Sequence, residues 1–150
     1  MSSFHILEPE VAGDLGPASV VEHSTRHPTV LLLEYEFNVW LGDDLLATHP
    51  CFIVTDRLRQ ALERFPGTGY SFGDVIVSTT DELRDRHPTL KLPKFHWLKV
   101  HGKAGRDDAG LTEDCSLVVS DRLLQVLREF NIDHCVVRKK PFRAKSSDAL

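Results

Sequence analysis

Two adjacent carboxylate pairs, Asp43-Asp44 and Asp107-Asp108, are the side chains of this sequence whose type and spacing best suit chemistry. Clustered carboxylates are what hard divalent cations take as ligands. Glycine stands beside each pair, Gly42 before the first and Gly110 after the second. That setting suits turn and capping roles equally well, because Asp side chains bond nearby backbone in turns. No third ligand follows at a diagnostic spacing, so neither a metal nor another cofactor is expected.

The histidines at 23, 27, 49, 87, 96, 101 and 134 form no HExxH or HxH pattern. His101-Gly102-Lys103-Ala104-Gly105 has the look of a phosphate loop, but Ala104 stands where GxxxxGK[ST] needs the second glycine's Lys to be followed by Ser or Thr. Neither a GxSxG elbow nor a recognisable Ser/His/Asp order occurs. Cys51, Cys115 and Cys135 form no CxxC site and sit among apolar neighbours, which predicts inert, buried thiols. Cys135 follows His134, but neighbouring residues on a strand point to opposite faces and make a poor nucleophile–base pair. The enzymatic alternative is a small metal-dependent enzyme built on His96, His101, Asp107 and Asp108.

Strands and helices must position these groups. Phe4–Leu7 is expected as a short strand, and 8–29 as loop, being rich in Gly, Pro, Ser and His. Val30–Phe37 reads as one strand and Asp43–Ala47 as a helical turn. Cys51–Val54 suits a buried strand. Thr55 caps a helix whose Leu58, Ala61, Leu62 and Phe65 share one face, until Pro66-Gly67 stops it. Tyr70–Ser78 reads as a strand, Asp81–Arg86 as a short helix capped by Thr80, and Phe95–Val100 as a strand. His101–Gly110 reads as loop. Leu117–Val119, a Ser120 cap, a helix over Asp121–Phe130 and a strand over Asp133–Arg138 follow.

One stretch recurs. Thr55-Asp-Arg-Leu-Arg-Gln-Ala-Leu-Glu-Arg-Phe65 matches Ser120-Asp-Arg-Leu-Leu-Gln-Val-Leu-Arg-Glu-Phe130 at an offset of 65. Upstream, at an offset of 64, the double Asp, Thr48/Thr112 and Cys51/Cys115 also match. The slip of one residue between Cys and cap suggests a β-bulge. Trp40-Leu41 and Trp97-Leu98 recur at a different spacing. Apolar matches between amphipathic helices are cheap, but the shared Asp, Arg and Gln lie off the apolar face. They suggest one strand–helix–strand unit used twice, over about 40–78 and 97–137.

The 150 residues suit one domain. Net charge is −4, unevenly spread. The run 138–145 holds five of the 18 basic groups, and Asp148 is the only acid beyond it, so residues 1–137 carry 13 basic and 21 acidic groups, a net of −8. An acidic body argues against nucleic-acid binding, which needs a basic face, and suits a basic partner. No apolar run approaches the ~20 residues of a membrane span.

Several segments resemble a bacterial family once known only as a domain of unknown function: Ile6–Gly13, Tyr35-Glu36-Phe37, Trp40–Leu45, Pro50–Thr55, Leu92–Val100 and Leu117–Ser120. The family comprises immunity proteins encoded beside polymorphic toxins, those of contact-dependent and type VI secretion systems among them. The resemblance spans about 4–137 and rests on structural motifs. It implies a cytoplasmic, non-enzymatic protein that neutralises a cognate toxin by stoichiometric binding, the toxin presenting a basic surface. An effector-associated adaptor is a further alternative.

The expectation is therefore an α+β fold. It is a compact single domain over 1–137 with a mixed or mainly antiparallel sheet, followed by a basic flexible tail over 138–150. Candidate partner contacts are Trp40, Asp43, Asp44, Asp107 and Asp108, with neither nucleic acid nor membrane as a partner.

Overall fold

Alternation of side chains along short strands builds most of this molecule, which is a computed structural model describing residues 3–23 and 28–140. In chain order the strands are β1 (Phe4–Glu8), β2 (Glu10–Val11), β3 (Gly13–Leu15), β4 (Val20–Glu22), β5 (Thr29–Leu32), β6 (Glu34–Phe37), β7 (Leu45–Thr48) and β8 (Cys51–Thr55). Helix α1 (Asp56–Arg64) precedes β9 (Tyr70–Gly73) and β10 (Ile76–Thr79), and α2 (Asp81–Arg86) precedes β11 (Phe95–Val100), β12 (Ala109–Leu111) and β13 (Leu117–Ser120). Helix α3 (Asp121–Leu127) and β14 (Val136–Lys140) close the described chain. The fold is α+β with mainly antiparallel sheets, as expected.

Two sheets repeat one plan. One has the order β7-β8-β11-β9, extended at its edge by β2, and the other β12-β13-β1-β14. In each, a hairpin leads directly into a helix, and the chain then returns as an outer strand. The registers coincide: Leu45 opposes Val54 as Ala109 opposes Val119, and Phe95 opposes Thr55 as Phe4 opposes Ser120. The duplication is therefore real in three dimensions, but its bounds differ from 40–78 and 97–137. The third strand of the second sheet is β1, from the start of the chain, whereas β11 belongs to the first. Phe4-His5-Ile6-Leu7 stands where Phe95-His96-Trp97-Leu98 stands in the other unit, so Trp97 corresponds to Ile6 and not to Trp40.

The slip of one residue is not a β-bulge. Both hairpins keep their ladders in step, and the second has one more residue in its loop, 112–116 against 48–51. Cys115 lies in that longer loop at φ 66°, so strand pairing matches Cys51 with Ser116.

Period-two alternation sends side chains to opposite faces of a sheet. On one face, Leu45, Ala47, Phe52, Val54 and Leu98 join Leu7, Ala109, Leu117 and Val119 of the other sheet in one apolar cluster. Helix α1 adds Leu58 and Leu62, and α3 adds Leu123, Leu124 and Leu127. On the opposite face of the first sheet, Leu46, Cys51, Ile53 and Phe95 pack with Leu33, Tyr35, Phe37 and Leu83. Tyr35 and Phe37 come from the small sheet β10-β6-β3, Leu33 from the residue just before β6, and Leu83 from α2. The Tyr35 hydroxyl ties the layers together, donating to Ala47 O at 2.9 Å and accepting from Ala12 N at 2.8 Å.

Coverage on both faces explains several departures. Residues 45–47, expected to be helical, form β7 with every side chain buried. A strand hidden on both sides shows no alternation to recognise. Segment 8–29 contains β2, β3 and β4. Gly13, which reads as a breaker, is needed because a Cβ there would lie 1.9 Å from Glu36 O. Val30–Phe37 splits at Leu33, since Leu31 and Leu32 face outward on the β4-β5 hairpin while Leu33 turns into the core. Tyr70–Ser78 likewise splits between two sheets. The first residues of the expected tail, Arg138 to Lys140, pair with Ile6 to Phe4 on β1. The rest of that tail, 141–150, and His27 lie outside the described residues. Among the described residues no helix is long and apolar enough to cross a membrane.

Leu58 and Leu123 occupy equivalent places on α1 and α3 and are almost fully buried. Leu58→Ala and Leu123→Ala should each lower unfolding free energy by about 2–5 kcal/mol in urea titration. A loss confined to one of the two would show that the units are not energetically equivalent.

Candidate functional site: two reciprocal aspartate–arginine clamps

Each double-Asp turn places its second carboxylate inside the fold. Asp44 precedes β7, and its carboxylate accepts from Thr55 Oγ1 at 2.5 Å, from Arg57 Nε at 2.8 Å and from Arg57 Nη2 at 2.6 Å. Asp108 precedes β12 and accepts from Ser120 Oγ at 2.6 Å, Arg122 Nε at 2.8 Å and Arg122 Nη2 at 2.9 Å. These are forked, charge-assisted pairs, the strongest geometry available to a carboxylate. The repeated Asp-Arg motif supplies them, because the arginine two residues after the cap position lies above the aspartate of its own unit.

Each clamp also closes on the other unit. Asp44 Oδ2 accepts from Asn131 N at 2.8 Å, just past the end of the second helix region. Asp108 Oδ2 accepts from Thr68 N at 3.0 Å, just past the first. The guanidinium of Arg57 lies 5.5 Å from the Phe130 ring centroid, and that of Arg122 lies 4.7 Å from Phe65. The helix-ending phenylalanines of the repeat are thus exchanged: each unit's arginine stacks on its neighbour's aromatic ring. Gly69, at φ +95°, allows this approach in the second clamp, since a Cβ there would lie 2.0 Å from Ala109 O.

The first helical residue of each unit makes a third matched pair. Asp56 Oδ1 meets His96 Nε2 at 2.7 Å, and Asp121 Oδ1 meets His5 Nε2 at 2.5 Å. His5 is thus an unforeseen structural residue. The signal for it is the Phe-His-x-Leu sequence shared by 4–7 and 95–98. Thr55 sits at the cap position without capping, its hydroxyl being given to Asp44, whereas Ser120 both donates to Asp108 and accepts from Leu123 N.

Hydrogen bonding sets the charge states. The Arg122 guanidinium holds the Asp108 carboxyl down at about 2, against the opposing effect of burial, with Ser120 and Thr68 adding to it. For Asp44 burial pushes upward, but Arg57, Thr55 and Asn131 outweigh it and the net direction is down. His96, then Arg59 and Gln60, hold Asp56 at about 2.

The expected contact residues are accordingly placed as follows. Asp43, Asp44 and Asp108 are buried. Their carboxylates are bonded inside the protein, so a partner meets none of them at the surface. Asp107 is half-buried and accepts from Lys103 N at 2.6 Å. That amide is one a phosphate would have needed in the 101–105 loop. Trp40 is half-buried, not an exposed anchor: its Nε1 donates to Asp43 O at 3.0 Å, and its ring stands edge-on to Phe95 at 6.2 Å.

The enzymatic constellation does not assemble either. His96 is held by Asp56 and Asp108 by Arg122, and His96, His101, Asp107 and Asp108 do not converge as a ligand set among the described residues. Burial pushes the Cys51 thiol up to about 12 and the Cys135 thiol up to about 11, the reverse of what a thiolate nucleophile requires. The clamps are devices for joining two halves.

Asp108→Asn keeps the shape and removes the charge. It should lower stability at pH 7 by about 1–3 kcal/mol, because the forked pair is lost in a buried place. The wild-type carboxylate contributes fully above its ordinary value near 4, and the contribution fades as pH falls toward 2. The gap between wild type and variant should therefore narrow over that range in chemical denaturation; a constant gap would assign the effect to packing. Compared with known proteins, the chain matches no family model and no curated protein sequence.

Proposed function

We propose that this chain is a cytoplasmic immunity protein that neutralises a cognate bacterial toxin by forming a stoichiometric complex. The observation that carries this reading is the outer surface of the β10-β6-β3 sheet. Tyr35 and Phe37 point into the core, so alternation turns Glu34 and Glu36 to the other face of the sheet, where Glu34 is buried and Glu36 half-buried. Glu34 is used internally, accepting from Ala18 N and Ser78 Oγ. Glu36 lies directly opposite Asp14 on β3, and Asp14 is exposed. Like charges facing each other across strands cost stability, and a basic partner relieves that cost.

Apolar surface borders this acidic row. Leu31, Leu32, Ile76 and Val77 are exposed, and Ile76 N donates to Leu33 O at 2.9 Å, which sets Leu32 and Ile76 close together. β10 ends its sheet, so among the described residues one of its edges carries no strand. An apolar strand edge beside acidic groups suits a partner that adds a strand and brings positive charge. The acidic excess of the body and the resemblance to immunity proteins agree with this surface. The contact face moves accordingly from the double-Asp turns to the sheet around Asp14, Glu36 and Ile76.

Co-expression with the toxin encoded beside this gene tests the reading. The toxin should be harmless in the presence of this chain, and the two should co-elute. Killing at an undiminished rate, with no complex, would end the proposal. Asp14→Lys combined with Glu36→Lys should slow association at least tenfold at low salt and leave the melting temperature of the free protein within a few degrees of wild type.

A further inference from the structure

Outside the clamps, the described residues contain one group in which three metal-binding side chains converge. Glu10 on β2, Asp43 before β7 and His134 before β14 each offer a ligand atom within 4.8 Å of the others. Three atoms so spaced lie within about 2.8 Å of a common centre, some 0.7 Å beyond the bond lengths of zinc-class ions. Small side-chain adjustments close that difference.

Two further observations single the group out. Glu10 Oε1 is shut off from water and has no hydrogen-bond partner, alone among the buried side-chain oxygens and nitrogens described. A dry carboxylate oxygen without a donor is costly and calls for either a proton or a cation. The second observation comes from the repeat. Asp107 is the counterpart of Asp43, and its partners are the Lys103 amide, the Arg106 guanidinium at 3.7 Å and Thr68, with neither an imidazole nor a second carboxylate among them. Asp43 is instead fully buried and faces His134, accepting from its backbone N at 2.9 Å and lying 2.7 Å from its Nδ1. Among the described residues, only the first unit has gathered a second carboxylate and an imidazole around this position.

We infer that Glu10, Asp43 and His134 form a binding site for one divalent transition-metal ion of the zinc class. An imidazole with two carboxylates is a mixed nitrogen–oxygen set, which zinc accepts readily, whereas calcium and magnesium prefer oxygen alone. The His134 side chain is 43% exposed and gives the ion a route from solvent. Bound there, the ion neutralises two facing carboxylates. It also pins the N-terminal β2 and the segment leading into the last strand to the turn that carries the first clamp. The site is independent of the toxin-binding face.

Isothermal titration of chelator-treated protein with zinc chloride, calcium chloride and magnesium chloride in turn provides the test, with thermal melting in parallel. Wild type should bind one zinc equivalent, melt higher with zinc present, and take calcium and magnesium at least tenfold more weakly. Glu10→Gln and His134→Gln should each lose at least tenfold in zinc affinity, while His96→Gln, which alters a different His–Asp pair, should retain it. Equal zinc binding by wild type and Glu10→Gln would overturn the site. So would a wild type indifferent to zinc whose Glu10→Gln variant melts higher, because the orphan oxygen would then carry a proton.

Discussion

A carboxylate taken out of water keeps its charge only if other donors replace the ones it loses. Asp44 and Asp108 meet that demand with a forked arginine, a hydroxyl and a backbone amide each. The amide comes in both cases from the opposite unit. Satisfying the charge and joining the halves are therefore one event. If the halves separate, each aspartate loses a donor, and each arginine loses the ring on which it rests. This arrangement also explains why the repeated polar residues are the informative part of the repeat. Leucines at helical spacing recur in any amphipathic helix, whereas the Asp-Arg pair recurs because the same interface is built twice.

The two units differ in what covers their outer faces. The first sheet is buried on both sides, its second face closed by β3, β6, β10 and α2. The segments that make this cover, within 12–23, 28–39 and 74–92, have no counterpart in the second unit among the described residues. They bring the exposed leucines, the free edge of β10 and the facing pair Asp14 and Glu36. The repeated part of the molecule is thus spent on stability, and the unrepeated part holds the surface suited to a partner. Glu10, Asp43 and His134 follow the same logic, departing from the pattern at a position where the other unit's Asp107 meets donors and a cation, the Lys103 amide and Arg106.

Charge has to be divided in the same way. The body's excess of acids looks at first like a surface property. Part of it is internal: Asp43, Asp44, Asp108 and Glu34 are buried and bonded within the protein, and Asp56 and Asp121 face histidines. The acids left to attract a partner lie outside the clamps, with Asp14 and Glu36 adjacent on one sheet.

The amino-acid order by itself determined the local pieces whose physics is local. Helices α1 and α3 follow from the spacing of their apolar residues and α2 from its Thr80 cap, while β8 and β13 follow from their apolar runs and β11 from its alternation. It also contained the duplication, readable in the matched Asp, Arg and Gln. Only the tertiary structure decided which strands complete each unit, because β1 and β13 meet from opposite ends of the chain and no local pattern encodes that pairing. Short strands such as β2 and β3 exist only through their partners. The same holds for the double-Asp turns. Their types suggested ligands or contacts, but it was burial against donors from the other half that made Asp44 and Asp108 internal clamps. The convergence of Glu10, Asp43 and His134 depends on folding for the same reason: residues far apart in the chain become neighbours only when three strands are in place.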